Sequence, residues 1–236
     1  MIIRPPQKNG RSNSYQDLVI KDGKFVGDFD HLYENFDDPW KQSDKNIIDQ
    51  SRRALCIHHA KKLAKEYREK YNDISKPFTA LELGCGFGYL TAELNEEGLN
   101  CVGIDISHVA IQQASRLHPN SKFCVAEFGD YKVINEVQPN LFIFAEITWY
   151  VLPKLKEFFE ELMRYKSLTN KQVFVFHSLV TYPVGIQKYG TDYFTNLEEI
   201  LSYFEPWVVY KEFGEIFAPL PWDPESRGTY FLAEVK

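Results

Sequence analysis

Five short apolar runs alternate with four segments of helical periodicity between residues 79 and 177, and this alternation is the strongest constraint on the fold. The predicted strands are Thr79–Leu83, Asn100–Asp105, Lys122–Ala126, Asn140–Ala145 and Gln172–His177. The predicted helices lie near Tyr89–Glu97, Val109–Leu117, Val133–Val137 and Lys154–Tyr165. Strands that alternate with helices indicate an α/β domain with a mostly parallel sheet and helices on both faces.

The two ends of the chain follow different patterns. Residues 1–45 are polar and irregular and predict a leader that is either a loose tail or a flap. An amphipathic helix is predicted from Ile47 to about Tyr71, because its apolar residues recur at helical spacing. At the other end, Trp207–Phe213 and Thr229–Val235 predict an antiparallel pair of strands at one sheet edge. We therefore divide the chain into a leader, 1–45, and a main domain, 46–236.

Composition excludes several classes of protein. The chain has 236 residues, of which 44% are hydrophobic and 25% charged, as in one ordinary globular domain. Its net charge of −6, without a block of basic residues, argues against nucleic-acid binding. The sequence contains no apolar run long enough for a membrane span, and its first residues do not resemble a secretory signal, so we expect a cytoplasmic protein. Its four cysteines lack metal-ligand spacing, so we expect no metal site.

A glycine-rich turn follows the first predicted strand of the alternating region. Its sequence is Leu-Glu-Leu-Gly-Cys-Gly-Phe-Gly, residues 81–88, and a helix is predicted directly after it. Glycines at a strand-to-helix turn let the backbone approach a ligand closely. The spacing does not fit the dinucleotide motif GxGxxG, since Tyr89 stands where the third glycine would be. The carboxylate of Glu82 would repel a pyrophosphate and suits a ligand that carries positive charge.

Acidic residues also end the next two predicted strands. Asp105 ends the second strand, where a carboxylate is placed to accept hydrogen bonds from ribose hydroxyls. After the third strand, Glu127 is our first choice and Asp130 our second for accepting from an adenine amino group, with Phe128 covering the ring face. These positions imply a nucleoside ligand.

The glycine turn with Glu82, Asp105 and the acidic third-strand segment resembles the class I S-adenosylmethionine-dependent methyltransferases over roughly residues 78–170. The resemblance implies a Rossmann-like sheet of about seven strands, of which the last is antiparallel. It also implies that Gly84 and Gly86 contact the methionine part of S-adenosylmethionine, and that S-adenosylhomocysteine is the product. In the family, the residue that matches Asp105 holds the ribose, and the residue that matches Glu127 faces the adenine. We add three neighbouring positions to the predicted cofactor site: Cys85, Ile106 and Glu146.

A second resemblance involves the leader. Asp38-Pro39-Trp40, together with residues 145–152 after the fourth strand, is similar to the nodulation N-methyltransferase branch, which acts on sugar amines. In that branch the leader folds over the cofactor, so the resemblance implies that Trp40 and Tyr33 cap it. The sequence departs from the branch after Ser43, which puts an amine acceptor in doubt. Methyltransferases encoded in capsular-polysaccharide gene clusters, including those expected to methylate a phosphoramidate group, are a comparable match.

Residues for the acceptor are expected at the carboxyl ends of the parallel strands. Tyr150 and His177 are the candidate catalytic residues there, and each has a structural alternative. Tyr150 would otherwise be a packing aromatic, and His177 would make structural hydrogen bonds. Trp40 would otherwise anchor the leader to the core. The aromatic loops at 180–194 and 214–227 suit an acceptor pocket and suit a homodimer contact equally well.

The sequence thus favours a methyltransferase that acts on an oxygen or nitrogen atom of a small polar acceptor. The acceptors we expect are a sugar, a nucleotide-sugar or a phosphoramidate unit of surface polysaccharide. One alternative is a catalytically silent module that binds S-adenosylmethionine. The other is an NAD-dependent oxidoreductase.

Overall fold

A seven-stranded sheet forms the centre of the molecule, and its strand Arg227–Val235 runs antiparallel to both neighbouring strands. The computed structural model describes residues 15–43, 47–71, 77–182, 189–216 and 227–236. Strands β1 (Ile20–Lys21) and β2 (Lys24–Phe25) form a small hairpin in the leader. The main sheet contains β3 (Thr79–Leu83), β4 (Asn100–Asp105), β5 (Lys122–Val125), β6 (Leu141–Ala145), β7 (Phe174–Thr181), β8 (Val208–Ile216) and β9 (Arg227–Val235). Their order is β5-β4-β3-β6-β7-β9-β8, which confirms the predicted fold class.

The described part of the chain forms eight α-helices. They are α1 (Phe29–Asn35), α2 (Ile47–Tyr71), α3 (Tyr89–Glu96), α4 (His108–Leu117), α5 (Tyr131–Val137), α6 (Thr148–Val151), α7 (Leu155–Thr169) and α8 (Leu197–Phe204). Short 3-10 helices occur at Tyr15–Leu18 and Leu152–Lys154. None of these described helices is long and apolar enough to cross a membrane. Within the same residues, no group of His, Cys, Asp and Glu side chains is arranged to hold a metal ion.

Both faces of the central strands β3, β6 and β7 are buried, which explains why these strands read as continuous apolar runs. Along β6, Phe142 and Phe144 pack into the core on the side of α7, whereas Leu141 and Ile143 pack into a second core with α2 and α3. Successive side chains of a strand point to opposite faces, so one strand serves both cores. This two-sided burial fixes the register of the parallel strands and hence the edge at which their carboxyl ends meet.

The leader folds against this edge. Helix α1 buries Leu32 and Tyr33. Leu32 packs with Phe36 in one small cluster, and Tyr33 packs with Phe87 in another. Asp30 accepts a hydrogen bond from the hydroxyl of Ser107, at 2.6 Å, where Ser107 caps the start of α4. The described part of the leader, residues 15–43, is thus packed against the main domain, and its role as a flap over a ligand stays a prediction. The division at residue 45 falls within 44–46, outside the described residues.

The switch in chain direction across the sheet positions the site. Strand β3 lies between β4 and β6, so the connections after β3 and β6 leave the sheet in opposite directions. In open α/β sheets, ligands bind in the crevice at this point, outside the carboxyl ends of the strands. The glycine turn after β3 lies at this crevice.

Gly103 tests how closely the elements beneath the crevice are packed. A Cβ at Gly103 would lie 2.7 Å from the Thr91 hydroxyl oxygen, 2.9 Å from Cys85 Sγ and 2.9 Å from Phe123 Cδ1. These three side chains, from α3, the glycine turn and β5, would have to shift. We therefore expect Gly103→Ala to lower the free energy of unfolding by about 1–3 kcal/mol. Urea denaturation measures this change.

The matched control is Gly228→Ala, in β9, where the nearest atom would be Ile216 Cβ at 3.3 Å. We expect this substitution to cost less than about 1 kcal/mol. Equal losses for the two variants would contradict the close packing around Gly103.

Candidate functional site

The glycine turn adopts a backbone conformation that side chains other than glycine rarely allow. Gly84, Gly86 and Gly88 have φ angles of 71°, 55° and 78°. The turn is joined to the end of β4 by two hydrogen bonds, from Cys85 N to the Ile104 carbonyl at 2.8 Å and from Gly86 N to Asp105 Oδ2 at 2.9 Å. Because glycine has no Cβ, a ligand can approach this backbone closely.

Asp105 connects the turn to the next helix. Its second oxygen, Oδ1, accepts from Ser107 N at 2.9 Å, and the residue is only 8% exposed. Burial raises the pKa of this carboxyl, while hydrogen bonds from the Ser107 and Gly86 amides act in the opposite direction. Each carboxylate oxygen offers two lone pairs, so accepting capacity remains beyond the two backbone bonds. The position fits the prediction that Asp105 accepts from ligand hydroxyls.

Glu82 does not line the crevice in this structure. The residue is 2% exposed, and its carboxyl accepts a hydrogen bond from the hydroxyl of Thr91 on α3. Burial raises the pKa of Glu82 to about 7, although Thr91 and the charge of Arg53 favour the ionised form. The structure thus shows Glu82 buried and bound to Thr91, and its direct contact with a ligand stays a prediction. Sequence spacing could not show this, because every residue of β3 is buried.

Side chains of the leader lie directly above the turn. Gln42 donates from Nε2 to the Cys85 carbonyl at 3.2 Å and accepts from Phe87 N through Oε1 at 2.7 Å. Trp40 donates from Nε1 to the hydroxyl of Tyr33 at 2.9 Å, and the Tyr33 ring lies 5.0 Å from that of Phe87. Trp40 and Tyr33 thus lie beside the turn, and their role as a cap over the cofactor stays a prediction. Gln42 was missed, and its closeness to the Asp-Pro-Trp motif was the only available signal.

Glu146 ends β6 in a strained backbone conformation. Its φ is 63°, in the left-handed region that non-glycine residues rarely occupy. Its Oε2 accepts from Val180 N at 2.8 Å, and its Oε1 lies 2.7 Å from Arg52 Nη1 on α2. The following residue, Ile147, covers Gly84, since a Cβ there would lie 2.3 Å from Ile147 Cδ1. Strain of this kind is concentrated at functional sites. Arg52 is a second residue that sequence reasoning missed.

An aromatic shelf joins the leader to the segments after β6 and β7. It consists of Phe25, Phe29, Trp40, Tyr150 and Tyr189. The ring centroids of Tyr150 lie 5.5 Å from Trp40 and 5.7 Å from Phe29. Phe25 in turn lies 6.2 Å from both Phe29 and Tyr189, and it is 41% exposed. Tyr150 therefore packs as an aromatic residue and also belongs to an accessible surface.

His177 is buried in the core, and we withdraw it as a candidate catalytic residue. It has no exposed surface, and its ring stacks on Phe231 at 4.6 Å and 5°. Its Nε2 lies 2.8 Å from the Thr148 hydroxyl oxygen, and burial lowers its pKa to about 3. The His177 imidazole is therefore neutral and out of reach of a methyl acceptor. This corresponds to the alternative in which His177 has a structural role.

The residues after β5 divide into two groups. Asp130 caps α5, accepting from Lys132 N at 2.8 Å, and Phe128 packs on Phe158 at 4.5 Å on the core side. These contacts assign structural roles to Asp130 and Phe128, and the ring-face prediction for Phe128 gains no support. Glu127 is exposed, with its carboxylate 3.1 Å from Lys154 Nζ, and Ile106 is 51% exposed beside Asp105. Glu127 and Ile106 therefore remain available to a ligand.

Comparison with known proteins gives a domain match and fold matches. Residues 80–166 match a family described as "Methyltransferase domain". None of the curated proteins matches the sequence. Among solved structures, the fold is similar to that of the N-methyltransferase NodS from Bradyrhizobium japonicum WM9 in complex with S-adenosyl-L-homocysteine. That match has a TM-score of 0.57 and 15% identity, and it covers 84% of this chain and 92% of NodS.

Two structures of WbdD are also similar. Monomeric WbdD matches with a TM-score of 0.53 and 19% identity over 80% of this chain and 41% of that chain. A structure described as the bifunctional kinase-methyltransferase WbdD matches with a TM-score of 0.50 and 21% identity over 75% and 39%. This chain therefore spans about two fifths of WbdD. At these identities the likeness shows the fold.

The buried carboxyl of Glu82 predicts a pH dependence of stability. Its pKa rises from 4.5 to about 7 on folding, so the folded state binds more protons than the unfolded state between these values. Stability from this group is complete below about pH 4.5 and is lost as the pH rises through 7. We expect wild type to lose about 3 kcal/mol more than Glu82→Gln between pH 4.5 and 7.5. Urea denaturation across this range measures both variants.

Glu69→Gln is the matched control, because the Glu69 side chain on α2 is 65% exposed. This variant should keep the wild-type dependence on pH. Parallel curves for wild type and Glu82→Gln would show that Glu82 does not titrate in this window.

Proposed function

We propose that this S-adenosylmethionine-dependent methyltransferase acts on an oxygen or nitrogen atom of a small polar acceptor. The acceptors that fit are a sugar, a nucleotide-sugar or a phosphoramidate unit of a surface (capsular) polysaccharide. The observation that carries the proposal is the hydrogen bond from Gly86 N to Asp105 Oδ2. It joins a side-chain-free turn and a buried carboxylate at the point of the sheet where α/β folds bind ligands.

The residues present fit the cofactor. The turn at Gly84 and Gly86 suits the methionine part, because its backbone carries no side chains and a ligand can approach it closely. In this structure Ile147 and Gln42 lie against these two positions, where a Cβ would come within 2.3–2.5 Å of their side chains. Asp105 retains lone pairs for ribose hydroxyls. Ile106 offers apolar surface and Glu127 an acceptor for the adenine. When bound, S-adenosylmethionine supplies a methyl group that its sulfonium has already activated.

For the acceptor, the protein supplies mainly orientation. A methyl transfer requires the attacking atom to be held in line about 3 Å from the methyl carbon, and alignment of this kind can supply much of the rate enhancement. Glu146 and Arg52 offer a carboxylate and a guanidinium 2.7 Å apart at the end of β6. The first can accept from an amine or hydroxyl, and the second can compensate an anionic oxygen. The aromatic shelf offers ring faces to the apolar face of a sugar.

Cofactor binding tests the first half of the proposal. We expect calorimetry to show binding of S-adenosylmethionine and S-adenosylhomocysteine, and none of NAD at the same concentration. Asp105→Asn should weaken S-adenosylhomocysteine binding by about 1–3 kcal/mol, or about 5- to 150-fold, because one of the two accepting oxygens becomes an NH2 group that donates. Binding of NAD alone would overturn the proposal.

Asp130→Ala is the matched control for this measurement. Asp130 is the other acidic residue considered for the nucleoside, and it is engaged as the cap of α5. Its loss should lower stability but leave the dissociation constant unchanged. A weaker cofactor affinity in Asp130→Ala would reassign the nucleoside contact.

Tyr150 tests the acceptor side. Release of S-adenosylhomocysteine, measured against a panel of sugar amines, nucleotide-sugars and phosphoramidates, identifies the acceptor. With that acceptor, Tyr150→Ala should raise KM by about 3- to 10-fold, since one ring of the shelf is lost. Tyr150→Phe keeps the ring and should preserve KM. If Tyr150→Ala changed cofactor affinity and left KM unaltered, Tyr150 would belong to the cofactor site instead.

A further inference from the structure

The side-chain amide of Gln42 fills the space in front of Gly86. A Cβ placed on Gly86 would lie 2.5 Å from Gln42 Oε1 and 2.9 Å from Gln42 Nε2, with the Tyr33 hydroxyl also at 2.9 Å. Gly86 is the residue against which the methionine part of the cofactor is proposed to lie. The protein therefore places its own polar group where that part of the ligand would bind.

The hydrogen bonds of this amide resemble those of an amino-acid end. Its carbonyl accepts from Phe87 N at 2.7 Å, and its NH2 group donates to the Cys85 carbonyl at 3.2 Å. A carboxylate and an ammonium on one carbon likewise offer acceptors and donors side by side. The turn has few other open groups, because Gly86 N is bound to Asp105 and Cys85 N to Ile104. Gln42 and an amino-acid end therefore need the same backbone atoms.

The leader holds this amide in place through its backbone. Asp38 accepts from Gln42 N at 2.8 Å through Oδ1, and from Ser43 N at 2.8 Å through Oδ2. Arg53 on α2 donates to the Gln42 carbonyl. The backbone of Gln42 is thus fixed from two sides, so the side chain is presented to the turn in advance.

We infer that Gln42 is a built-in competitor for the amino-acid end of S-adenosylmethionine. The inference rests on the proposed function. Binding of the nucleoside half at Asp105 leaves Gln42 in place, whereas binding of the whole cofactor displaces its amide from Cys85 and Phe87. Cofactor binding is thereby coupled to the leader segment 38–43, which bears Trp40.

Two ligands that share a nucleoside separate the two halves of the site. S-adenosylhomocysteine has the amino-acid end, and 5′-methylthioadenosine lacks it. In calorimetry with the full chain, we expect Gln42→Met to tighten S-adenosylhomocysteine binding by about 3- to 10-fold, the equivalent of one or two hydrogen bonds no longer displaced. Binding of 5′-methylthioadenosine should change by less than about 2-fold. Gln112→Met, at an exposed position of α4, should change neither.

A second readout follows Gln42 itself. In NMR spectra, its side-chain amide signals should move towards those of an exposed glutamine when S-adenosylhomocysteine is added. They should stay in place when 5′-methylthioadenosine is added. This measurement does not depend on a variant, so it holds even if Gln42→Met folds poorly.

Three results would overturn the inference. Weaker binding of S-adenosylhomocysteine in Gln42→Met would make Gln42 a cofactor-binding residue. Equal tightening for both ligands would mean that the leader is merely loosened. Unmoved Gln42 signals with S-adenosylhomocysteine bound would show that no displacement occurs. Failure of the proposed function would give a different result, because wild type would then bind neither S-adenosylhomocysteine nor 5′-methylthioadenosine. The inference about Gln42 would fail with it.

Discussion

The carboxylate of Asp105 is the contact on which the arrangement of the site depends. It receives one amide proton from the glycine turn, at Gly86, and one from the start of α4, at Ser107. Both amides belong to segments that leave the carboxyl edge of the sheet, and a buried amide without a partner costs about 1–3 kcal/mol. One side chain thus satisfies two connections and fixes the floor of the crevice. It does so with an acceptor that also remains able to bind a ligand.

The leader completes the crevice from above, and its contacts converge on the same segments. Asp30 binds Ser107, which also donates to Asp105, while Gln42 binds the backbone on either side of Gly86. The described part of the leader is therefore attached both to the glycine turn and to the start of α4. A ligand that separates Gln42 from the turn would loosen one of these attachments and leave the other. The leader would then be released from the glycine turn but would stay attached to α4.

Much of the fold followed from the sequence, because two-sided burial makes the strands of a parallel sheet apolar throughout. The predicted ends of β3 and β4 are those observed, and the glycine turn and Asp105 lie where the pattern placed them. Helix α8 was missed, although Asn196 caps it and its apolar residues recur at helical spacing. His177 was misplaced for a tertiary reason. Strand β7 continues to Thr181 because β9 pairs with it along its whole length, so His177 lies within the strand and not at its end.

The long pairing of β7 with β9 also determines which side chains are accessible to an acceptor. With His177 buried and neutral, two polar side chains just after β6 are placed for an acceptor. They are Tyr150, on the aromatic shelf, and Glu146, which Arg52 and the Val180 amide hold in place. The ion pair and the amide fix the Glu146 carboxylate in position, where it can orient a polar group. We therefore expect an acceptor that needs orientation more than deprotonation, such as an anionic phosphoramidate oxygen or an amine that arrives neutral. In the proposed function, an anionic oxygen would share the guanidinium of Arg52, whereas an amine would donate to Glu146.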